Sequence, residues 1–186
     1  MKKSAKIFLI LSIIFTLIFI PFMTMAIIKS VQFGFNCEAY IKRAADANTI
    51  EMAKAELAKA IEYAEENDLT EGIVSIFLKN PKNDLEFWYN NMKAAYEELE
   101  ELPEDSTPLE KTNVLMKLRE SLTDNDSSNG TTVTMPEGIS LYPNNVLYFW
   151  WGIISGLGMF FSWIIFICLV AENEKKKKEE EDKKKK

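Results

Sequence analysis

Apolar positions divide the chain into three parts. Two uninterrupted apolar runs cover residues 7–28 and 146–170, and neither run contains a charged residue. A bilayer core about 30 Å thick requires roughly 20 apolar residues of helix, and lipid offers no partners for unpaired backbone groups. The pattern therefore predicts transmembrane helices at residues 7–28 and 146–170, on either side of a region of mixed polarity at residues 29–145.

The first apolar run also has features of a signal peptide. Three lysines precede it within residues 1–6, as in the basic start of a secretory signal. However, Thr24-Met25-Ala26 is a poor small-x-small cleavage site, and apolar residues continue beyond Pro21. We therefore favour an uncleaved anchor over a cleaved signal peptide, and both alternatives leave residues 29–145 on the same side.

The distribution of charge predicts the orientation of the two spans. Residues 171–186 form a polybasic tail with eight lysines and six acidic residues, whereas residues 29–145 contain 22 acidic and 11 basic residues. Short lysine-rich flanks remain in the cytoplasm, and long domains cross the membrane largely regardless of their charge. We therefore predict an integral membrane protein with residues 1–6 and 171–186 in the cytoplasm and residues 29–145 outside. The abundance of Lys, Ile, Asn and Phe, which is typical of AT-rich bacterial genomes, favours a bacterial inner or plasma membrane.

Helical periodicity recurs in the first part of the central region. Residues 37–67 are rich in Ala, Glu and Lys. Their apolar residues recur at a helical spacing at Ile50, Ala53, Leu57, Ile61 and Ala64. Asn48, with Glu51 three residues later, resembles a capping pair. The segment therefore predicts either two helices or one kinked helix.

Three further helices are predicted before residue 124. A start signal at residues 68–71 precedes the short apolar run 73–78, which we interpret as a short helix rather than a buried strand. Asn83 and Glu86 open the next helix, and Pro103 ends it. The apolar stripe of this helix consists of Leu85, Trp88, Met92, Tyr96 and Leu99. Thr107, Pro108 and Glu110 form a capping box with proline at the first helical position. The stripe that follows consists of Val114, Leu115, Leu118 and Leu122.

The last part of the central region differs in composition from the helical part. Residues 124–145 contain a polar loop, a β-prone stretch and several helix breakers, so they predict an extended strap back to the membrane. Residues 29–145 are enough for one modest core. The predicted fold is an all-α membrane protein in which two transmembrane helices flank an extracytoplasmic antiparallel bundle of three to five helices. In topology the chain resembles bacterial sensors whose helical bundle lies between two membrane helices; the resemblance is one of architecture and rests on no motif.

Two groups of residues in the second span are candidates for membrane contacts. Gly152, Gly156 and Gly158 give one face of the helix small side chains, which allow close helix–helix packing in lipid. The sequence leaves open whether this face packs on the first span or on a second copy. Tyr148, Trp150 and Trp151 open the span and predict an aromatic belt at the membrane interface.

Three aromatic residues of the central region predict different environments. Trp88 lies on the apolar stripe and predicts a core position, whereas Phe87 and Tyr89 flank it and are the candidate contact surface.

Cys37 is either a buried thiol or a bridge to a partner. The acidic run at residues 97–105 is interpreted as a solvated helix end rather than a metal site.

The sequence contains no signature of catalysis. It has no histidine, which removes the usual general base and zinc ligand, and it has no P-loop or nucleophile elbow. We therefore predict no enzyme activity, no catalytic residue, no cofactor, no metal and no nucleic-acid partner. The predicted function is that of a two-pass membrane protein whose outer helical domain binds a protein partner or envelope component, in a receptor-like or accessory role. The alternative is a homo-oligomeric membrane scaffold or pore that assembles through the second span.

Overall fold

A computed structural model describes residues 3–74, 80–126, 130–140 and 146–185. The protein is mostly helical (81%), and two of its helices are long and apolar enough to cross a membrane. Contacts group the chain into two compact units. The paired-helix unit comprises Met1–Ala26 and Val146–Lys186, and the central unit comprises Ile27–Asn145.

The paired-helix unit contains most of α1 (Lys3–Phe33) and all of α6 (Val146–Lys185). Pro21 lies inside α1 without ending it. The hydroxyl of Ser12 donates to the carbonyl of Phe8 at 2.7 Å, so this polar group is satisfied within the helix. The α6 helix extends through the charged tail as far as Lys185.

The first helices of the central unit are separate. A short π-helical segment, Gly34–Glu38, follows α1 and leads into α2 (Ala39–Ala45), and α3 covers Ile50–Glu66. The two-helix alternative is therefore confirmed, but the predicted cap is wrong by one residue. Thr49, not Asn48, is the N-cap of α3, because its hydroxyl oxygen accepts a hydrogen bond from the amide of Met52 at 3.2 Å.

The next two helices follow the predicted apolar stripes. The α4 helix covers Leu85–Glu101, and its N-cap is Asp84, whose carboxylate accepts a hydrogen bond from the amide of Phe87 at 3.2 Å. Asn83 does not cap it, because it belongs to the 3-10 turn Pro81–Asn83. The α5 helix covers Pro108–Leu122, and the capping box between Thr107 and Glu110 is confirmed.

Two segments depart from the helical prediction. Ile73 forms an isolated antiparallel bridge with Asp84, so the predicted helix does not begin there, and residues 75–78 of that prediction lie outside the described residues. Strands β1 (Thr123–Asp126) and β2 (Gly130–Val133) form an antiparallel hairpin within the predicted strap. Their β-branched threonines and valine favour a pleated backbone. Residues 141–145 of the strap lie outside the described residues.

The core of the central unit is apolar and continuous across its helices. The fully buried side chains include Cys37, Ile41, Leu57, Leu85 and Met92, which come from the π-helical segment and from α2, α3 and α4. Ion pairs cross the surface between helices. They join Lys54 to Glu100 (2.7 Å), Lys117 to Glu98 (2.8 Å) and Arg119 to Asp46 (3.2 Å). Exposed pairs of this kind contribute little each, so burial is the main source of stability.

Candidate functional site

The small face of α6 packs on phenylalanines of α1. The three pairs are Gly152 with Phe22, Gly156 with Phe19 and Gly158 with Phe15. An added Cβ would lie 2.4 Å from the Phe22 ring at Gly152 and 2.5 Å from the Phe15 ring at Gly158. A side chain at either position would overlap the facing ring unless that ring shifted, so glycine permits the close approach. The face that the sequence assigned either to the first span or to a second copy therefore contacts the first span of the same chain.

Polar ends of aromatic side chains also join the two helices. The hydroxyl of Tyr148 donates to the carbonyl of Phe22 at 3.4 Å, and the indole of Trp151 donates to the carbonyl of Ile18 at 3.3 Å. Tyr148 is 6% exposed and thus serves helix pairing, whereas Trp150 is 42% exposed. The location of these residues at a membrane interface remains a prediction.

The central unit has a groove between the start of α4 and the hairpin. The groove, of about 630 Å³, is lined by the 3-10 turn, the first turns of α4, the end of α5, both strands and residues 134–137. Its volume lies in the range of small-molecule and peptide-side-chain sites. We call it the α4–hairpin groove.

The floor of the α4–hairpin groove is apolar and is held by a hydrogen bond to a backbone carbonyl. Trp88, Met92, Leu122 and Val133 line it, and all four are buried. The indole of Trp88 donates to the carbonyl of Thr134 at 3.1 Å. This bond ties α4 to the chain that follows β2, so the floor is formed before any ligand arrives.

The two candidate contact residues have opposite environments. Phe87 is 70% exposed and lines the α4–hairpin groove. Tyr89 is 9% exposed, and its hydroxyl donates to a carboxylate oxygen of Glu65 at 2.5 Å. The hydrogen bond to Glu65, together with burial, raises the pKa of Tyr89 to about 12. Residues two apart on a helix point in nearly opposite directions, so Tyr89 belongs to the α3–α4 contact and leaves the candidate surface to Phe87.

The rim of the α4–hairpin groove is acidic. Its acidic residues are Asp84, Asp124 and Glu137, and its basic residue is Lys82. Asp124 and Glu137 are exposed. The rim therefore combines an excess of negative charge with an exposed aromatic ring.

Cys37 is inaccessible in the structure. Its side chain is fully buried, and the thiol donates to the carbonyl of Ala60 with a sulfur–oxygen distance of 3.8 Å. Burial, with a smaller effect from the nearby Glu38 carboxylate, raises the pKa of the thiol to about 12. Reactive cysteines are exposed and have a low pKa. Of the two alternatives, the geometry thus matches the buried thiol and not the bridge.

No group of three or more His, Cys, Asp or Glu side chains that could hold a metal occurs among the described residues. The carboxylates at the end of α4 instead form ion pairs with lysines of α3 and α5, through Glu100 and Glu98.

Two parts of these sites were not predicted from the sequence. Phe15, Phe19 and Phe22 follow one another at helical spacing, and this signal identifies the α1 face that meets the glycines. The α4–hairpin groove has no such signal, because its lining comes from segments far apart in sequence.

No family model matches the chain, and no similar curated protein or solved structure was found.

Proposed function

We propose that this is a two-pass membrane protein whose central unit lies outside the membrane and binds a protein partner through the α4–hairpin groove. Both termini are cytoplasmic in this proposal, and the host membrane is a bacterial inner or plasma membrane. The observation that carries the binding function is Phe87, an aromatic ring that is 70% exposed beside a buried apolar floor. Aromatic residues, including phenylalanine, are enriched in protein interfaces relative to the rest of the surface.

The packing of α1 on α6 supports a retained first span. The α6 glycines fit phenylalanine rings of α1, and two α6 side chains donate to α1 carbonyls. Cleavage of the first span would leave this fitted face without its partner. In the proposed protein, α1 is therefore an anchor and is not removed.

The contacts in the central unit support an antiparallel helical bundle. The α3 helix contacts α4, α4 contacts α5, and α5 contacts α2. Short connections join α2 to α3 and α4 to α5, as expected for neighbours that run in opposite directions. The bundle presents the α4–hairpin groove as a preformed surface for the partner.

A photo-crosslinking experiment tests the binding surface. Phe87 is replaced by benzoylphenylalanine, and the control carries the same substitution at Leu109, which is also 70% exposed but does not line the groove. We expect a discrete protein adduct from position 87 and none from position 109. Equal adducts from both positions, adducts with lipid alone or adducts between two copies of this chain would contradict the proposal.

A thiol-labelling experiment tests the sidedness independently. In a Cys168→Ser background, Cys37 is buried and unreactive, so labelling reports an introduced cysteine. We expect a membrane-impermeant reagent to label Glu101→Cys in intact cells and to label Lys178→Cys only after lysis. The reverse pattern would overturn the proposed orientation.

The glycines of α6 do not favour the scaffold alternative. Their small face is occupied by α1 of the same chain. A homo-oligomer would have to assemble through other residues of the spans, and no observation points to a set of them.

A further inference from the structure

The composition of the α4–hairpin groove restricts what its partner can contain. Four buried apolar side chains form the floor, so the contact needs an apolar anchor to replace water there. The rim has three carboxylates and one ammonium group. An anionic segment would bring its own charges close to Asp84, Asp124 and Glu137, and like charges at close range are costly.

The exposed ring of Phe87 also favours cationic groups in the partner. The face of an aromatic ring attracts cations, particularly guanidinium and ammonium groups. The central unit already contains such contacts: Lys59 Nζ lies 5.1 Å from the Tyr40 ring centroid, and Lys54 Nζ lies 5.7 Å from that of Tyr96. The ring of Phe87 and the carboxylates of the rim therefore favour the same type of partner group.

The charge of the whole central region acts in the same direction at longer range. Residues 29–145 carry 22 acidic and 11 basic residues, a net charge of −11. A surface of one sign raises the encounter rate of oppositely charged partners, and the effect falls with ionic strength. The net charge of the central region and the charge of the rim thus both favour a cationic partner.

We infer that the occupant of the α4–hairpin groove is a cationic segment of a partner protein, with an apolar anchor side chain flanked by lysine or arginine. This inference rests on the proposed function and specifies the chemistry of its partner. The anchor contacts the floor at Trp88 and Val133, its two least buried residues, and the flanking cations contact Phe87, Asp124 and Glu137.

The test uses the full chain in nanodiscs of uncharged lipid, so that the membrane does not attract the probe. The probe is a short fluorescein-labelled peptide of leucines and lysines, and binding is measured by fluorescence anisotropy. Two matched peptides carry glutamine or glutamate in place of every lysine. We expect the lysine peptide to bind at least about tenfold more tightly than the glutamine peptide, with an advantage that shrinks as salt shortens the Debye length from about 30 Å to about 3 Å.

Variants of the chain separate the α4–hairpin groove from general acidity. The double variant Asp124→Asn, Glu137→Gln removes two rim charges, and we expect a roughly three- to tenfold loss of affinity because exposed charge pairs contribute modestly. The matched control, Glu101→Gln with Glu104→Gln, removes the same charge near the other end of α4, about 24 Å away along the helix. At the ionic strength where the Debye length is about 8 Å, this control should leave lysine-peptide affinity within about twofold, because charges more than a Debye length apart are largely screened.

The outcomes distinguish this inference from the proposed function. If the glutamine or glutamate peptide binds as well as the lysine peptide, and Phe87→Ala weakens that binding, the groove is the binding site but the cationic partner is wrong. If the control double variant weakens lysine-peptide binding as much as the rim double variant, the attraction is general and the inference is overturned. If Phe87→Ala and the rim variants both leave the binding of every peptide unchanged, the groove is not the site, and the proposed function fails as well.

Discussion

The paired-helix unit and the central unit are held together by different kinds of contact. In the paired-helix unit, α6 glycines accommodate α1 phenylalanine rings, and aromatic side chains donate to carbonyls of the facing helix. In the central unit, a continuous core of buried aliphatic and aromatic side chains is supplemented by ion pairs between helices.

The difference follows from the solvent of each unit in the proposed topology. Lipid chains are as apolar as leucine, so two helices in a bilayer gain nothing from hydrophobic burial and depend on close fit. A domain in water gains about 25 cal/mol for each Å² of apolar surface that it buries. Truncation of an apolar side chain should therefore be costly in the central unit, whereas enlargement of a small residue should be costly in the paired-helix unit.

The largest expected effect is the loss of a core side chain in the central unit. Leu57 is fully buried, and Leu57→Ala should lower the free energy of unfolding by about 2–5 kcal/mol because it removes apolar contact and leaves a cavity. Denaturant titration of the full chain in detergent, followed by circular dichroism, measures this change. The control is Leu109→Ala, which should change stability by less than about 0.5 kcal/mol because Leu109 is 70% exposed. Equal effects of the two substitutions would show that burial does not dominate in this unit.

The next effect appears at alkaline pH. The pKa of Cys37 rises from its ordinary value of 9.0 to about 12 on folding, chiefly through burial. Because the folded pKa is the higher one, the contribution of the neutral thiol is fully present below pH 9 and is lost as the pH rises to about 12. At about 1.4 kcal/mol per pKa unit, the wild-type chain should lose up to about 4 kcal/mol more than Cys37→Ala over this range.

Denaturant titrations of both chains at several pH values measure this difference. The raised pKa of Tyr89 also destabilises the folded state above its ordinary value of 10.0, but it does so equally in both chains and cancels in the comparison. A stability difference between the two chains that stays constant from pH 9 to pH 12 would contradict the burial of the thiol.

The glycines of α6 provide the matching test in the paired-helix unit. Gly152→Ala should destabilise the pairing of α1 with α6 by about 1–3 kcal/mol, because overpacking forces shifts of neighbouring groups. Gly156→Ala should have a smaller effect. The added Cβ would lie 3.1 Å from the Phe19 ring, whereas the Cβ added at Gly152 would lie 2.4 Å from the Phe22 ring. Energy transfer between dyes placed on the two helices, measured during a detergent titration, reports the pairing.

A second substitution identifies the cause of that loss. Phe22→Ala removes the ring that the new Cβ would meet, so the pair Gly152→Ala, Phe22→Ala should be less destabilised than the sum of its single variants. Gly34→Ala is the control for an added methyl group, because its Cβ would meet no atom closer than 4.0 Å. If the effects of Gly152→Ala and Phe22→Ala were additive, the destabilisation by Gly152→Ala would not arise from contact with the Phe22 ring.

The sequence predicted the elements whose signals are local. The apolar stripes of α3, α4 and α5 were correct because each lies within one helix, and the capping box at Thr107 was correct because both its partners lie within four residues. The caps of α3 and α4 were each wrong by one residue. At the start of each helix two adjacent polar residues could serve as the N-cap, and the surrounding chain determines which one does. At α4, for example, Asn83 belongs to the preceding 3-10 turn, so Asp84 is the N-cap.

The features that sequence could not predict depend on distant segments. Tyr89 looked like a surface residue because its acceptor, Glu65, lies on α3 and cannot be inferred from α4 alone. Ile73 pairs with Asp84 instead of starting a helix. The glycine pattern identified a packing face, but the identity of the partner required the α1 phenylalanines to be placed opposite it.

The smallest effect concerns a helix start. Thr107→Ala removes both the acceptor for the amide of Glu110 and one partner of the Glu110 carboxylate, and should cost about 1 kcal/mol of stability. Thr112→Ala is the matched control, since the Thr112 hydroxyl only donates to the carbonyl of Pro108 within the same helix. The cost at Thr107 is modest because water replaces the lost bond at an exposed helix end. If Thr107→Ala instead cost as much as Leu57→Ala, local capping would rank with burial in the central unit, and the contrast between a unit held by burial and a unit held by fit would fail.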